Sequence, residues 1–297
     1  MKNKKHKGVE SLKKRYGFLF TLPWLIGLAV FFILPIIQSV IYSLSDLKLD
    51  AGRVAVTFRG FKHYRFLLYE DSKYIENLLS GVKNIFIQVP FILILSMVLG
   101  ILLNNKFRGR VFFRSLYFLP VIITSGVVLR VFLQAAQGDA TDVAVTEDVA
   151  FGMIDFSAVL KGLNLPEGLL NFLSTALDNI FMLIWQSGIQ IVLIIAGLQT
   201  IPDLLYEVAH VEGATKWEQF WLITLPMMIR TMLLVVIFTI VEVVTTNTNP
   251  VMKQGYNNFY NIEYGTGSAA LWFYFVIVGV IIAAVFGVFS KMLKKWG

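Results

Sequence analysis

TIPDLLYEVAHVEGATKWEQFWLITLPMMIR, residues Thr200–Arg230, is too polar to cross a bilayer, yet it joins two runs apolar enough to do so. Leu204, Leu205, Val208 and Val211 recur at helical spacing and give one apolar face, with Asp203, Glu207 and His210 opposite. Pro202 suits the first turn of that helix, where its missing N–H costs nothing. Gly213 ends the helix, because glycine takes the left-handed C-terminal conformation without a Cβ clash. Thr215 and Glu218 stand at capping-box spacing, which predicts a second short helix. Trp217, Phe220 and Trp221 fit an interfacial surface, and Pro226 marks the break before the next apolar run. The reading is a helix–turn–helix elbow over 200–230, lying on one membrane face. Physics alone leaves two uses open: resting on lipid headgroups, or docking in a protein groove. Asp203, Glu207, Glu212 and Glu218 favour docking, because anionic headgroups attract basic helices.

The rest of the chain supports a membrane setting. Hydrophobic residues make up 57% of its 297 residues and charged residues 15%, with a mean hydropathy of +0.70. Soluble domains carry roughly 25% charge. An ordinary soluble enzyme and a disordered chain are both excluded as defaults. Six runs approach the ~20 residues a transmembrane helix needs: Phe18–Leu44, Leu78–Leu103, Ser115–Gln134, Ala176–Leu198, Thr231–Thr246 (short, with room to reach Pro250) and Ser268–Met292. The runs are continuous rather than alternating, so strands are not expected in them, and open sheet edges would go unsatisfied in lipid. The expected fold is an all-α integral membrane protein of six transmembrane helices with the elbow between the fourth and fifth. Residues 1–17 form a basic tail, 18–292 one transmembrane domain with a lobe at 135–175, and 293–297 a short tail. The first apolar run is too long for a signal peptide and lacks a small-residue cleavage site, so it reads as an uncleaved helix.

Basic residues give the orientation. Lys2, Lys4, Lys5, Lys7, Lys13, Lys14 and Arg15 precede the first span; Lys106, Arg108, Arg110 and Arg114 follow the second; Lys291, Lys294 and Lys295 end the chain. With six spans all lie on one side, which the positive-inside rule makes the cytoplasm. The acidic 135–175 loop falls outside. The first external loop runs against the rule, with Lys48, Arg53, Arg59, Lys62, Arg65 and Lys73.

Much chemistry is missing. With no cysteine there is no disulfide, thiolate metal site or Cys nucleophile. No G-x-x-x-x-G-K-[ST] loop exists to cradle ATP phosphates, so any ATP-driven work belongs to another subunit. His6, His63 and His210 are scattered and form no metal cluster, and no catalytic constellation is found. The formal charge of +7 reads as a topology signal rather than a nucleic-acid surface. Inside the spans Glu242 and Arg130 stand out, since ionisable residues in lipid are costly. Arg130 suits snorkelling to the external interface. Glu242 either binds solute hydroxyls in a hydrated pathway or pairs with a polar group on another helix. Trp185, Gln186 and Gln190, with Thr246, Asn247 and Asn249, supply stacking and hydrogen-bonding groups of the kind a sugar pathway needs, or else pack and cap helices.

Glu207-Val208-Ala209, three residues, Gly213, nine residues, then Ile223-Thr224-Leu225-Pro226 resembles the EAA loop of ABC importer permeases, E-A-A, G and I-x-L-P at the same spacing. Val208 replaces the middle Ala, and Glu212 replaces the family's usual Asp before the Gly. Gly197-Leu198-Gln199 and Ile201-Pro202 fit the carbohydrate-uptake branch. FLFTLPWLIGLAVFFILPIIQSVIYSLSD resembles the first span of maltose- or glycerol-phosphate-type permeases, and Phe58–Tyr64 the segment after it. Lys106–Arg110 and Phe112–Arg114 resemble the basic loop before the third span, and Tyr117-Phe118-Leu119-Pro120 the start of that span. The opening favours the first of the two permease types that pair. Two places depart: Thr246-Asn247-Thr248-Asn249-Pro250 stands where the family often has T-G-G-G-P, and the 135–175 loop differs in length.

The resemblance implies a permease subunit of a sugar, oligosaccharide or polyol importer in a bacterial cell membrane, both termini cytoplasmic. It implies a second permease, two ATP-binding subunits that use ATP and Mg, and an extracytoplasmic solute-binding protein; this chain binds no cofactor, metal or nucleic acid. The family's coupling residues fall on Glu207, Ala209, Glu212, Gly213, Ile223, Leu225 and Pro226. The competing reading is an ATP-independent secondary transporter or channel for a small polar solute. It accounts for the spans and Glu242, but not for the spacing of the elbow.

Overall fold

The computed structural model describes residues 5–50, 53–105, 108–109, 112, 115, 166, 168–170, 173–175, 177, 187–246 and 248–296. Span three beyond Ser115, with Arg130, most of the 135–175 loop, and Trp185, Gln186 and Asn247 lie outside the described residues. In chain order the helices are α1 (Lys5–Leu28), α2 (Leu34–Ser43), α3 (Lys62–Tyr69), α4 (Ser72–Asn104), α5 (Gly188–Leu198), α6 (Asp203–Val211), α7 (Lys216–Gln219), α8 (Leu225–Met227), α9 (Ile229–Thr245), α10 (Pro250–Tyr260) and α11 (Tyr264–Trp296). The strands are β1 (Ser45–Asp50) and β2 (Arg53–Phe58).

Two wider π-helical turns interrupt the helical path, at Ala29–Ile33 and Phe220–Thr224. Each ends two residues before a proline, Pro35 and Pro226. Proline lacks the N–H that would bond back along the helix, and its ring crowds the preceding turn. A π turn absorbs that mismatch without ending the helix. Tyr16–Ser43, Ser72–Asn104 and Tyr264–Lys295 are long and apolar enough to cross a membrane. α5 with α6, and the α7–α8 stretch with α9, form pairs bent by 67° and 71°, so the described residues hold three such helices, or up to five spans if each pair counts as one. α1 already begins at Lys5, within the stretch read as a tail. The fifth predicted span stops at Thr245, and Pro250 opens α10 rather than extending it.

The chain divides into two compact units: Met1–Leu78 with Lys253–Val276, and Leu79–Met252 with Ile277–Gly297. In the first, α1, α2 and the π turn between them leave their apolar surface uncovered, with Phe20 86% and Phe31 76% exposed. Each exposed Å² of apolar surface costs about 25 cal/mol in water, so the medium around this helix is itself apolar. β1 and β2 pair antiparallel, Ser45 opposite Phe58 and Asp50 opposite Arg53. This hairpin corrects the all-α expectation. The argument against strands concerned long apolar runs, whereas here Leu47 and Leu49 alternate with charged residues, and Val54, Val56 and Phe58 repeat at period two. Buried Tyr74 donates to the Ala270 carbonyl at 2.8 Å and Trp272 to Ser39 Oγ at 3.0 Å, tying this unit's distant segments together. The core of the second unit gathers Met97, Ile194, Leu198, Ile201, Met228 and Val235.

Candidate functional site

The polar segment folds through local caps. α6 starts at Asp203, immediately after Pro202, whose extended backbone (ψ 130°) places it just before the helix rather than in its first turn. The helix closes at Gly213, with φ of 83°. The Gly213 N–H donates to the His210 carbonyl at 3.1 Å and the Ala214 N–H to the Ala209 carbonyl at 2.9 Å. Thr215 then caps α7 reciprocally: the Glu218 N–H donates to Thr215 Oγ1 at 3.3 Å, and the Thr215 N–H to Glu218 Oε2 at 2.7 Å. The Thr215 N–H and then the Thr215 hydroxyl, at 2.8 Å, both donate to Glu218 Oε2 and hold the Glu218 carboxyl below its ordinary range.

The two halves of the segment meet at Tyr206 and Thr224, whose hydroxyls share a hydrogen bond of 2.9 Å. Sequence reasoning missed this staple; the only signal was a tyrosine among the aliphatic residues of α6. Tyr206, Phe220, Ile223 and Leu225 all pack against the core of the second unit. Ile223 and Leu225, on which the resemblance places coupling residues, are thus packed against that core, and Pro226 sits in α8 beside them. Glu207 and Glu212 are exposed and Ala209 is half-buried. The face formed by Leu204, Leu205, Val208 and Val211 is uncovered too, with Val211 88% exposed. Trp217 packs edge-on against Trp221 at 5.6 Å and stacks with Phe220 at 6.2 Å, an aromatic shelf whose two tryptophans remain exposed.

Two of the predicted pathway residues come together. Gln190 on α5 is fully buried and donates its amide to Glu242 on α9. Burial of an amide demands partners, and Glu242 supplies one. Of the other predicted pathway residues, the two that are described, Thr246 and Asn249, serve backbone ends. Thr246 Oγ1 donates to the Glu242 carbonyl at 2.8 Å. Buried Asn249 accepts from the Val251 N–H at 3.0 Å and thereby caps α10.

Sequence reasoning also left His63 as an isolated histidine. In the first unit it lies 3.0 Å from Asp46 Oδ1, 3.2 Å from the Ser45 carbonyl and 3.3 Å from Thr266 Oγ1. Arg59 and Lys62 also reach Asp46, at 3.2 and 3.3 Å. Burial opposes the charge of Asp46, but the Lys62 hydrogen bond and the charges of Lys62, His63 and Arg59 prevail and hold its carboxyl below the ordinary range. No local signal in the sequence joins these residues.

No protein-family model matches the sequence. YurN of Bacillus subtilis, a probable ABC transporter permease protein, is 33% identical over 244 residues, covering 80% of this chain and 78% of YurN. MsmF of Streptococcus mutans, a multiple sugar-binding transport system permease protein, is 24% identical over 292 residues, covering 91% of this chain and 93% of MsmF. Among solved structures, a chain of a bacterial alginate ABC transporter, crystallised in complex with an alginate pentasaccharide-bound periplasmic protein, superposes with a TM-score of 0.63 at 18% identity, covering 97% of this chain and 98% of that one. The fold and its apolar helices define a multi-pass membrane protein. The chain belongs to the ABC transporter permeases.

Proposed function

We propose that this chain is one transmembrane subunit of an ATP-driven importer for an oligosaccharide or related polyol, forming half of the pathway. It pairs as the first permease type with a different permease, above two ATPase subunits that carry ATP and Mg. A solute-binding protein delivers the solute from outside. Both termini and the segment 200–230 face the cytoplasm of a bacterial cell. One observation carries the coupling role: the segment that resembles the EAA loop is anchored on one side and open on the other. Ile223 and Leu225 are packed into the core, while Glu207 and the Val208 face stand free. A push on the open side is therefore transmitted to α9 through packed side chains rather than lost in a loose loop. ATP binding shifts the helices toward the outward-open state because the ATPases contact the two states differently. Glu207 is the polar anchor in the ATPase groove, and Gly213 makes the turn. Ala209 permits close packing there, and Glu212 keeps the acidic charge before the turn.

The Gln190–Glu242 pair is the observation that favours the second reading, a secondary transporter working without ATP. Mild-detergent isolation of the tagged chain from native membranes separates the two. A second permease and an ATPase co-purify under the importer reading. A chain that emerges alone at every detergent strength contradicts it and makes Glu242 the first residue to substitute.

A further inference from the structure

A cleft of about 610 Å³ lies between β1, α3 and the start of α11, all in the first unit. Its walls are built tightly. Gly265 sits where an added Cβ would come within 2.5 Å of His63 Nε2 and 2.6 Å of the Ser45 carbonyl, so only glycine lets α11 approach the hairpin this closely. His63 is held from three sides by Asp46, Ser45 and Thr266. The far wall is the turn after α10, where the Glu263 N–H donates to the Asn258 carbonyl at 2.8 Å and the Ile262 N–H to the Phe259 carbonyl at 3.1 Å. This double bond pattern normally ends on glycine. Here Ile262 occupies it at φ 65°, a conformation that strains a β-branched residue. Such strain is retained where surrounding structure over-determines the position, often at ligand clamps.

Inside these walls the side chains of Arg65, Glu70 and Glu263 have no partner among the described residues, and the rings of Phe66 and Tyr264 stand beside them. Asp46, Glu70 and Glu263 are nearly balanced by Lys62 and Arg65, so a small ion gains little from the cleft as a whole. A neutral polyhydroxylated ligand uses both signs: carboxylates accept its hydroxyl protons, a guanidinium donates to its oxygens, and ring faces pack on its C–H edges. The volume lies within the ~300–1,000 Å³ of small-molecule sites. We infer that this cleft is a saccharide-binding subsite, distinct from Gln190 and Glu242, on the face that the proposed orientation places outside the membrane. It rests on the sugar-importer reading for its ligand class and for the side it faces. There it would hold a sugar unit at the mouth of the importer.

The test uses the importer complex without its binding protein, in an amphipol that carries no sugar headgroup. Saturation-transfer NMR is recorded with maltose, trehalose and raffinose at millimolar concentration. Transfer to at least one of these probes is expected, weakened at least about tenfold (~1.4 kcal/mol) in Glu263→Gln and again in Arg65→Met. Both are exposed, shape-preserving changes, and circular dichroism with retained co-purification verifies folding. Should either variant misfold, Glu70→Gln is read in its place. No transfer from any probe overturns the inference, as does transfer that these variants leave unchanged. Absence of saccharide transfer, together with cross-linking of the cleft to the binding protein once that protein is added back, overturns it too and makes the cleft a protein-docking surface. Failure of the importer reading is separate: it shows as a complex that contains no ATPase, whatever the cleft binds.

Discussion

The segment 200–230 and the hairpin cleft solve the problem of shaping polar chain beside a membrane in opposite ways. In α6 and α7 the helix ends are set by local contacts: Gly213 closes on His210 and Ala209, and Thr215 and Glu218 cap each other. Around the cleft the decisive contacts are remote: His63 meets Thr266, Gly265 meets the Ser45 carbonyl, and Gln254 donates to Asp71 at 2.9 Å. A segment whose turns are capped locally keeps its shape while Tyr206, Ile223 and Leu225 carry its movement into the core. A remotely tied cleft is shaped only while its distant segments stay together. The first suits a lever and the second suits a binding site.

Substitutions can break this contrast. The largest expected effect is functional: Glu207→Arg abolishes coupling, so sugar uptake falls at least about tenfold while the chain remains in the membrane and ATP hydrolysis persists. Wild-type uptake in that variant would remove Glu207 from the docking surface. Gly265→Ala forces a Cβ against His63 and Ser45, and overpacking of this kind costs ~1–3 kcal/mol. Loss should show as a lower midpoint in thermal unfolding of the purified chain. Gly213→Ala meets no atom within 4 Å, so its cost is the left-handed backbone alone, ~1–2 kcal/mol. If the segment is locally determined, hydrogen exchange should rise in 203–219 and nowhere near the cleft. Thr215→Ala removes the cap of α7 at ~1 kcal/mol and is read by the same exchange experiment.

The pH response has a definite sign. The carboxyl of Glu218 is held low, so its charged form is favoured in the fold. Its contribution is therefore present above the ordinary carboxylate range and is lost as pH falls through the lowered value. Exchange protection of α7 should weaken on acidification below that range, and Glu218→Gln should flatten the dependence.

What the sequence disclosed follows the same division. The helix ends of the segment were legible because glycine, the capping box and Pro226 act on residues a few positions away. The apolar runs were legible because lipid imposes a length and a composition on them. The hairpin was not, since two short alternating strands are masked by neighbouring apolar runs of far greater weight. His63 was read as incidental because its partners, Ser45, Asp46 and Thr266, are set beside it by tertiary packing and leave no spacing to recognise. Gln190 and Glu242 were each noticed, but their direct bond belongs to the packing of α5 on α9. For Asn249 the sequence leaves a pathway role and a helix cap both open, and the structure shows it capping α10.

Under the proposed function, the open side of the segment 200–230 meets an ATPase. The chain contains no cysteine, so a single Glu207→Cys substitution gives one unique thiol. A thiol-attached photoreactive probe at that position, activated in native membranes, should join this chain to an ATPase subunit, with a yield that changes when ATP is added. Attachment to lipid alone, in membranes where uptake is running, would contradict the claim and return the segment to the headgroup surface.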